Sequence, residues 1–156
     1  MKNRLDRSKF FLGTYILQPY ARTEAHIKDL ADAGIDVVMC MQSDYKALDL
    51  FAKYEGKMRF HLEIHPSLLS DTLKAKLSSL PKGLLHLEAG IQSLDSKVLE
   101  ESGRKSSLKS SLDGLTFLCS LDNVETHADL IAGLPSYSLE MLYSDIMTLM
   151  KIGVDE

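Results

Sequence analysis

The chain has 156 residues, the length of one ordinary domain and enough to bury a sizeable core. Its 45% hydrophobic and 26% charged content is that of a globular protein, not a disordered or fibrous one. A net charge of -4 with interspersed signs and no basic stripe speaks against a nucleic-acid binder, and no apolar run approaches the roughly 18 residues of a membrane span.

The chain opens on charged residues, Met1-Lys2-Asn3-Arg4-Leu5-Asp6-Arg7, without the apolar core of a secretion signal, so a cytoplasmic location is expected. The apolar run from Phe10 to Ile16 then predicts a strand. Thr23 is placed to cap a helix with the stripe Ile27, Leu30 and Ala31, which ends at Ala33-Gly34. Residues 36–41 read as a buried strand. Ser43 or Asp44 opens a second helix carrying Ala47, Leu48, Leu50 and Phe51. A third strand spans Met58 to Ile64, and a helix runs from about Ser70 to Ser79. Pro81-Lys82-Gly83 makes a turn, and Leu84 to Ile91 is the fourth strand. Two helices follow, one around Val98-Leu99 and one over Leu108 to Leu118, broken apart at Gly103. Val124 to Ala132 is the fifth strand, and Ser138 caps a last helix running through Met150.

Five strand-helix units in strict alternation imply an α/β fold with a parallel sheet and right-handed crossovers. A full eight-unit barrel needs about 250 residues, so a single partial (β/α) barrel domain is expected. Val154-Asp155-Glu156 reads as the entry to a sixth strand, and the chain as a fragment. Unpaired sheet edges would favour a homo-oligomer.

Ligands of parallel α/β sheets bind beyond the carboxyl ends of the strands. On the third strand, alternation puts Phe60, Leu62 and Ile64 on one face and His61, Glu63 and His65 on the other. Three ionisable groups on one face must line a site or pair with one another. His61-x-Glu63-x-His65 would also suit a metal ion, but no second shell supports it, and no metal ligand is assigned. Glu88, Gly90 and Gln92 share a face of the fourth strand, and Asp129 lies within the fifth. Glu63, Gln92 and Asp129 thus recur on successive strands near the same end.

Glu88-Ala89-Gly90-Ile91-Gln92-Ser93, then Gly103-Arg104-Lys105, then Asp129-Leu130-Ile131-Ala132-Gly133-Leu134-Pro135 resemble the radical S-adenosylmethionine superfamily. The likeness is to its coproporphyrinogen dehydrogenase-like and cobalamin-domain-associated branch, and it covers about residues 57–156. It implies a partial barrel binding S-adenosylmethionine across its open top. By position, Glu63 would touch the amino-acid or ribose part, while Gln92, Arg104 and Asp129 would hold ribose and carboxylate. The family's activity is that of an iron-sulfur oxidoreductase, which generates a 5′-deoxyadenosyl radical at a [4Fe-4S] cluster. That cluster is held by C-x3-C-x2-C after the first strand. Here the segment reads Leu17-Gln18-Pro19-Tyr20-Ala21-Arg22, and the only cysteines, Cys40 and Cys119, are 79 positions apart. Three thiolates are needed, so the chain is expected to lack the cluster and to be inactive alone.

The first 55 residues look instead like the opening of a glycoside-hydrolase-type (β/α) unit, which places a junction near residues 54–57 and suggests a chimera. Two other readings follow. One is a non-catalytic half-barrel of structural interest. The other is a glycoside-hydrolase-like barrel fragment using Glu63 and Glu88 as its carboxylate pair.

Overall fold

Alternation decides which face of each strand is covered. Phe60, Leu62 and Ile64 are buried, whereas the residues between them, Arg59, His61 and Glu63, are half-buried or exposed. The same holds on the next strand, where Leu85, Leu87, Ala89 and Ile91 face the core and His86, Glu88, Gly90 and Gln92 do not. The structure, a computed structural model, describes residues 13–15, 24–40, 47–104 and 107–156.

Strands alternate with helices, two of which lie between the fourth and fifth strands: β1 (Gly13–Tyr15), α1 (Glu24–Asp32), β2 (Val37–Cys40), α2 (Leu48–Ala52), β3 (Arg59–Ile64), α3 (Asp71–Ser78), β4 (Leu85–Gln92), α4 (Ser96–Glu101), α5 (Leu108–Cys119), β5 (Val124–Leu130) and α6 (Leu139–Ile152). The strands form one five-stranded sheet in the order β1-β2-β3-β4-β5, and every pairing is parallel. This is the α/β architecture expected from the sequence. The β2–β3 ladder, Val37 against Arg59 through Cys40 against Leu62, spans the chain on either side of residues 54–57.

The core lies between one face of the sheet and the helices. Phe51 of α2 stacks on Phe60 of β3 with ring centroids 4.0 Å apart, and Ile27, Leu77, Leu115 and Leu118 fill the helix side. Four helices begin on a side-chain cap. Ser70, Asp95, Ser107 and Ser138 accept from the backbone N–H of Leu73, Val98, Ser110 and Met141, each worth about 1 kcal/mol. Helix α5 meets a short 3-10 turn at Pro66–Leu68 through Gly114, where a side chain would collide with the Pro66 backbone.

Some boundaries differ from the sequence reading. β5 ends at Leu130 rather than Ala132, because the backbone turns at Gly133 with φ +85°. Residues 10–12, Thr23, Met41, Ser43 and Asp44, and the segment 17–22, lie outside the described residues. After α6, the N–H groups of Asp155 and Glu156 donate to the Thr126 carbonyl, and the Ala128 N–H donates to that of Glu156. The chain thus begins to line the outer edge of β5, as its last three residues suggested.

Candidate functional site

The sheet face away from the helices carries a dense set of titratable groups. Parallel register places Glu63 beside Glu88 and Glu88 beside His127, with Gly90 beside Asp129 one step further toward the carboxyl ends. His61 Nε2 lies 2.6 Å from Glu88 Oε2, and His127 Nε2 lies 2.9 Å from Asp129 Oδ1. Glu88 and Asp129 also act on each other electrostatically, so one chain of interactions runs from β3 to β5. Its two acids are pushed apart. The His61 hydrogen bond holds Glu88 below the usual carboxylate range, while burial and the neighbouring Glu88 raise Asp129.

At the carboxyl end of β4 the backbone departs from regular geometry. The register slips between Gly90 and Gln92, and Gln92 adopts φ +69°, a left-handed conformation that costs a residue with a side chain about 1 kcal/mol or more. Its carbonyl accepts from the Ile131 N–H. Arg104 closes over the same place. Gly103, at φ +77°, ends α4 in a left-handed turn in which Arg104 N–H donates to the Leu99 carbonyl and Gly103 N–H to that of Glu100. This reversal carries the guanidinium back over the sheet. Its two terminal nitrogens stand 3.9 and 4.0 Å from where a β-carbon on Gly90 would be. The space above Gly90 is thus taken by Arg104, and Arg104 Nη1 is buried without a hydrogen-bond partner. Burial and Arg104 together lower the pKa of His65.

Of the sequence-predicted residues, Gln92, Arg104 and Asp129 lie toward this end of β4 and β5. Glu63 stands one strand away and is exposed. Arg104 and Asp129 form no ion pair with each other; Asp129 is engaged by His127 instead. The His61-x-Glu63-x-His65 metal reading is not assembled either. His61 turns to Glu88, and His65, beyond the end of β3, bonds Ser67 Oγ at 2.9 Å through Nδ1. Glu88, the other half of the hydrolase pair, has its carboxylate engaged by His61.

The segment after Gln92 is fixed from behind. Asp145 of α6, buried, accepts from Ser93 Oγ at 3.2 Å, Leu94 N–H at 2.7 Å and Tyr137 Oη at 2.6 Å. Tyr137 is thus a second anchor on the same carboxylate. Burial, then the Asp145 carboxylate, push the Tyr137 phenol from its ordinary 10.0 up to about 12. A folded-state value above the unfolded one favours the fold below pH 10, and that contribution disappears as pH rises through 12. Chemical denaturation across this window should show the native chain losing stability faster than Tyr137→Phe; equal slopes would contradict the assignment.

Cys40 and Cys119 do not fit a [4Fe-4S] cluster. Cys40 ends β2, buried among core residues, with Sγ 3.6 Å from the Val38 carbonyl. Cys119 ends α5, just before β5 begins, at the opposite end of the sheet. Burial also pushes the Cys119 thiol up, away from the thiolate a cluster needs. Two such thiols cannot converge on one group. Among the described residues, no helix is long and apolar enough to cross a membrane.

No protein-family model and no curated protein matches the chain. Solved structures do. SuiB of Streptococcus suis superposes with a TM-score of 0.69 at 13% identity, over 93% of this chain and 37% of that one. SuiB bound to S-adenosylmethionine gives 0.68 at 13%, over 88% of this chain and 32% of that one. Elp3 of the archaeon Methanocaldococcus infernus, with its N-terminus deleted, gives 0.55 at 17%, over 88% and 41%. The chain therefore spans well under half the length of each of these proteins. At such identities the likeness establishes the fold: this chain has the parallel α/β arrangement that recurs in SuiB and Elp3.

Proposed function

We propose that this chain is a radical S-adenosylmethionine-type partial barrel that binds S-adenosylmethionine at the carboxyl end of β4 and β5 without cleaving it. The observation that carries the reading is Arg104. A buried guanidinium nitrogen with no partner, held over a glycine at the carboxyl end of a parallel strand, calls for an anionic group. The methionyl carboxylate of S-adenosylmethionine supplies one, and the planar fork of arginine suits it. Asp129 and Glu63 offer carboxylate oxygens to ribose hydroxyls or the ligand's amino group. Gln92, with a donor and an acceptor on one side chain, can serve either. The strained backbone at Gln92 supports a binding role, since such strain concentrates at ligand sites. The SuiB structure with S-adenosylmethionine bound supports the choice of ligand.

The bound ligand would supply a sulfonium whose reductive cleavage yields the 5′-deoxyadenosyl radical. The residues of this chain provide no cluster to drive that cleavage, so their part is to bind and orient.

Calorimetric titration of the whole chain with S-adenosylmethionine or S-adenosylhomocysteine is expected to show weak binding. Arg104→Ala and Asp129→Ala should each weaken it at least about tenfold, equivalent to about 1.4 kcal/mol. Unchanged affinity in Arg104→Ala, or no binding by the native chain, overturns the reading. Anaerobic reconstitution with iron and sulfide should give no stoichiometric charge-transfer band, and such a band would refute the lack of a cluster.

A further inference from the structure

Toward the amino end from Arg104, on the same open face, His86 of β4, His127 of β5 and Glu156 converge. One donor atom of each lies within 4.8 Å of the others. We propose that these three residues bind a divalent transition-metal ion of the zinc type and leave a fourth position open.

Topology explains the meeting. Glu88 pairs with His127 and His86 with Glu125, so the two histidines sit diagonally across the β4–β5 ladder, their rings 5.8 Å apart. Glu156 joins them because the backbone of residues 155–156 is hydrogen-bonded along β5. Each donor is set up for coordination. His127 Nε2 faces Asp129, which leaves Nδ1 directed at Glu156 Oε2, 3.8 Å away. An imidazole bonded through one nitrogen to a carboxylate and through the other to a metal is the usual second-shell arrangement of metal sites. His86 Nε2 is buried and has no hydrogen-bond partner. Glu125, the other acid beside His86, is committed to Arg59 through two hydrogen bonds.

Two imidazole nitrogens and one carboxylate oxygen are the donor set of open zinc sites, whereas calcium and magnesium prefer oxygen alone. Donors about 2.0–2.1 Å from a tetrahedral ion stand about 3.3 Å apart, so the present spacing closes with small side-chain rotations. The site does not share Arg104 or Gln92 with the proposed nucleoside site.

The test uses the untagged whole chain, stripped with EDTA and titrated with Co(II) by visible absorption and with Zn(II) by calorimetry. The expected result is one ion per chain and tetrahedral ligand-field bands. Glu156→Gln changes an exposed residue, leaves the fold intact by circular dichroism, and should weaken binding at least about tenfold. His127→Ala and His86→Ala should abolish it, and Arg104→Ala should leave it unchanged. Absence of stoichiometric binding by the native chain overturns the proposal, as does equal affinity in Glu156→Gln and His127→Ala.

Discussion

Gly114→Ala should lower the stability of the chain by about 3 kcal/mol, at the upper end of what overpacking costs. Within a helix the same change normally stabilises by about 0.5–1 kcal/mol, so here the sign itself is diagnostic. The reversal comes from the approach of α5 to the turn after β3. A β-carbon on Gly114 would overlap the carbonyl of Pro66 and crowd its Cα, and all of these are backbone atoms. Neither side has room to give. Ser111, Leu115 and Leu118 on the same helix are buried, and Pro66 itself is buried with its φ fixed by the ring. Urea denaturation would measure the effect. An unchanged or raised midpoint would mean that α5 slides away at little cost, and the close approach would then not be a constraint. The change should also reach the candidate site, because Pro66 follows His65, which stands near Arg104.

Periodicity made much of this fold legible. The β-branched and apolar runs ending in turns marked each strand, and alternation within 58–64 correctly divided Phe60, Leu62 and Ile64 from His61 and Glu63. Ser138 and Gly103 announced a helix start and a helix stop by their residue type alone. Register was not legible. It depends on how far each crossover carries the chain, which no local pattern encodes, and so the partners of His61 and Asp129 could not be named. His86 and His127 lie two residues before Glu88 and Asp129, on the same strand faces. Extending the alternation backward would have marked them. The approach of Glu156 could not have been found that way, because it depends on where α6 returns the chain. The left-handed Gln92 gave no signal either, since glutamine is not a residue type that announces such a backbone.

Asp145 belongs to the same unreadable class, and its loss should be severe. In the sequence it is one acid within α6; in the fold it is buried and accepts from Ser93, Leu94 and Tyr137. Asp145→Ala should cost about 3–4 kcal/mol, because it takes the carboxylate acceptor from the buried Ser93 hydroxyl, the Leu94 N–H and the Tyr137 phenol at once. Asp145→Asn keeps an oxygen of the same reach, so a loss of only about 1–2 kcal/mol is expected. The consequence for binding follows from position. Ser93 and Leu94 come directly after Gln92, whose left-handed backbone persists only while its surroundings hold it. Asp145→Asn should therefore weaken S-adenosylmethionine binding although Asp145 faces the core, and it should also reduce the alkaline destabilisation attributed to Tyr137, while the part due to burial stays. Thermal unfolding, calorimetry and the alkaline stability profile of this one variant would test all three. If Asp145→Ala cost less than about 1 kcal/mol, the anchor would be no stronger than an ordinary surface contact, and the β4 terminus would have to be held by the bulge alone.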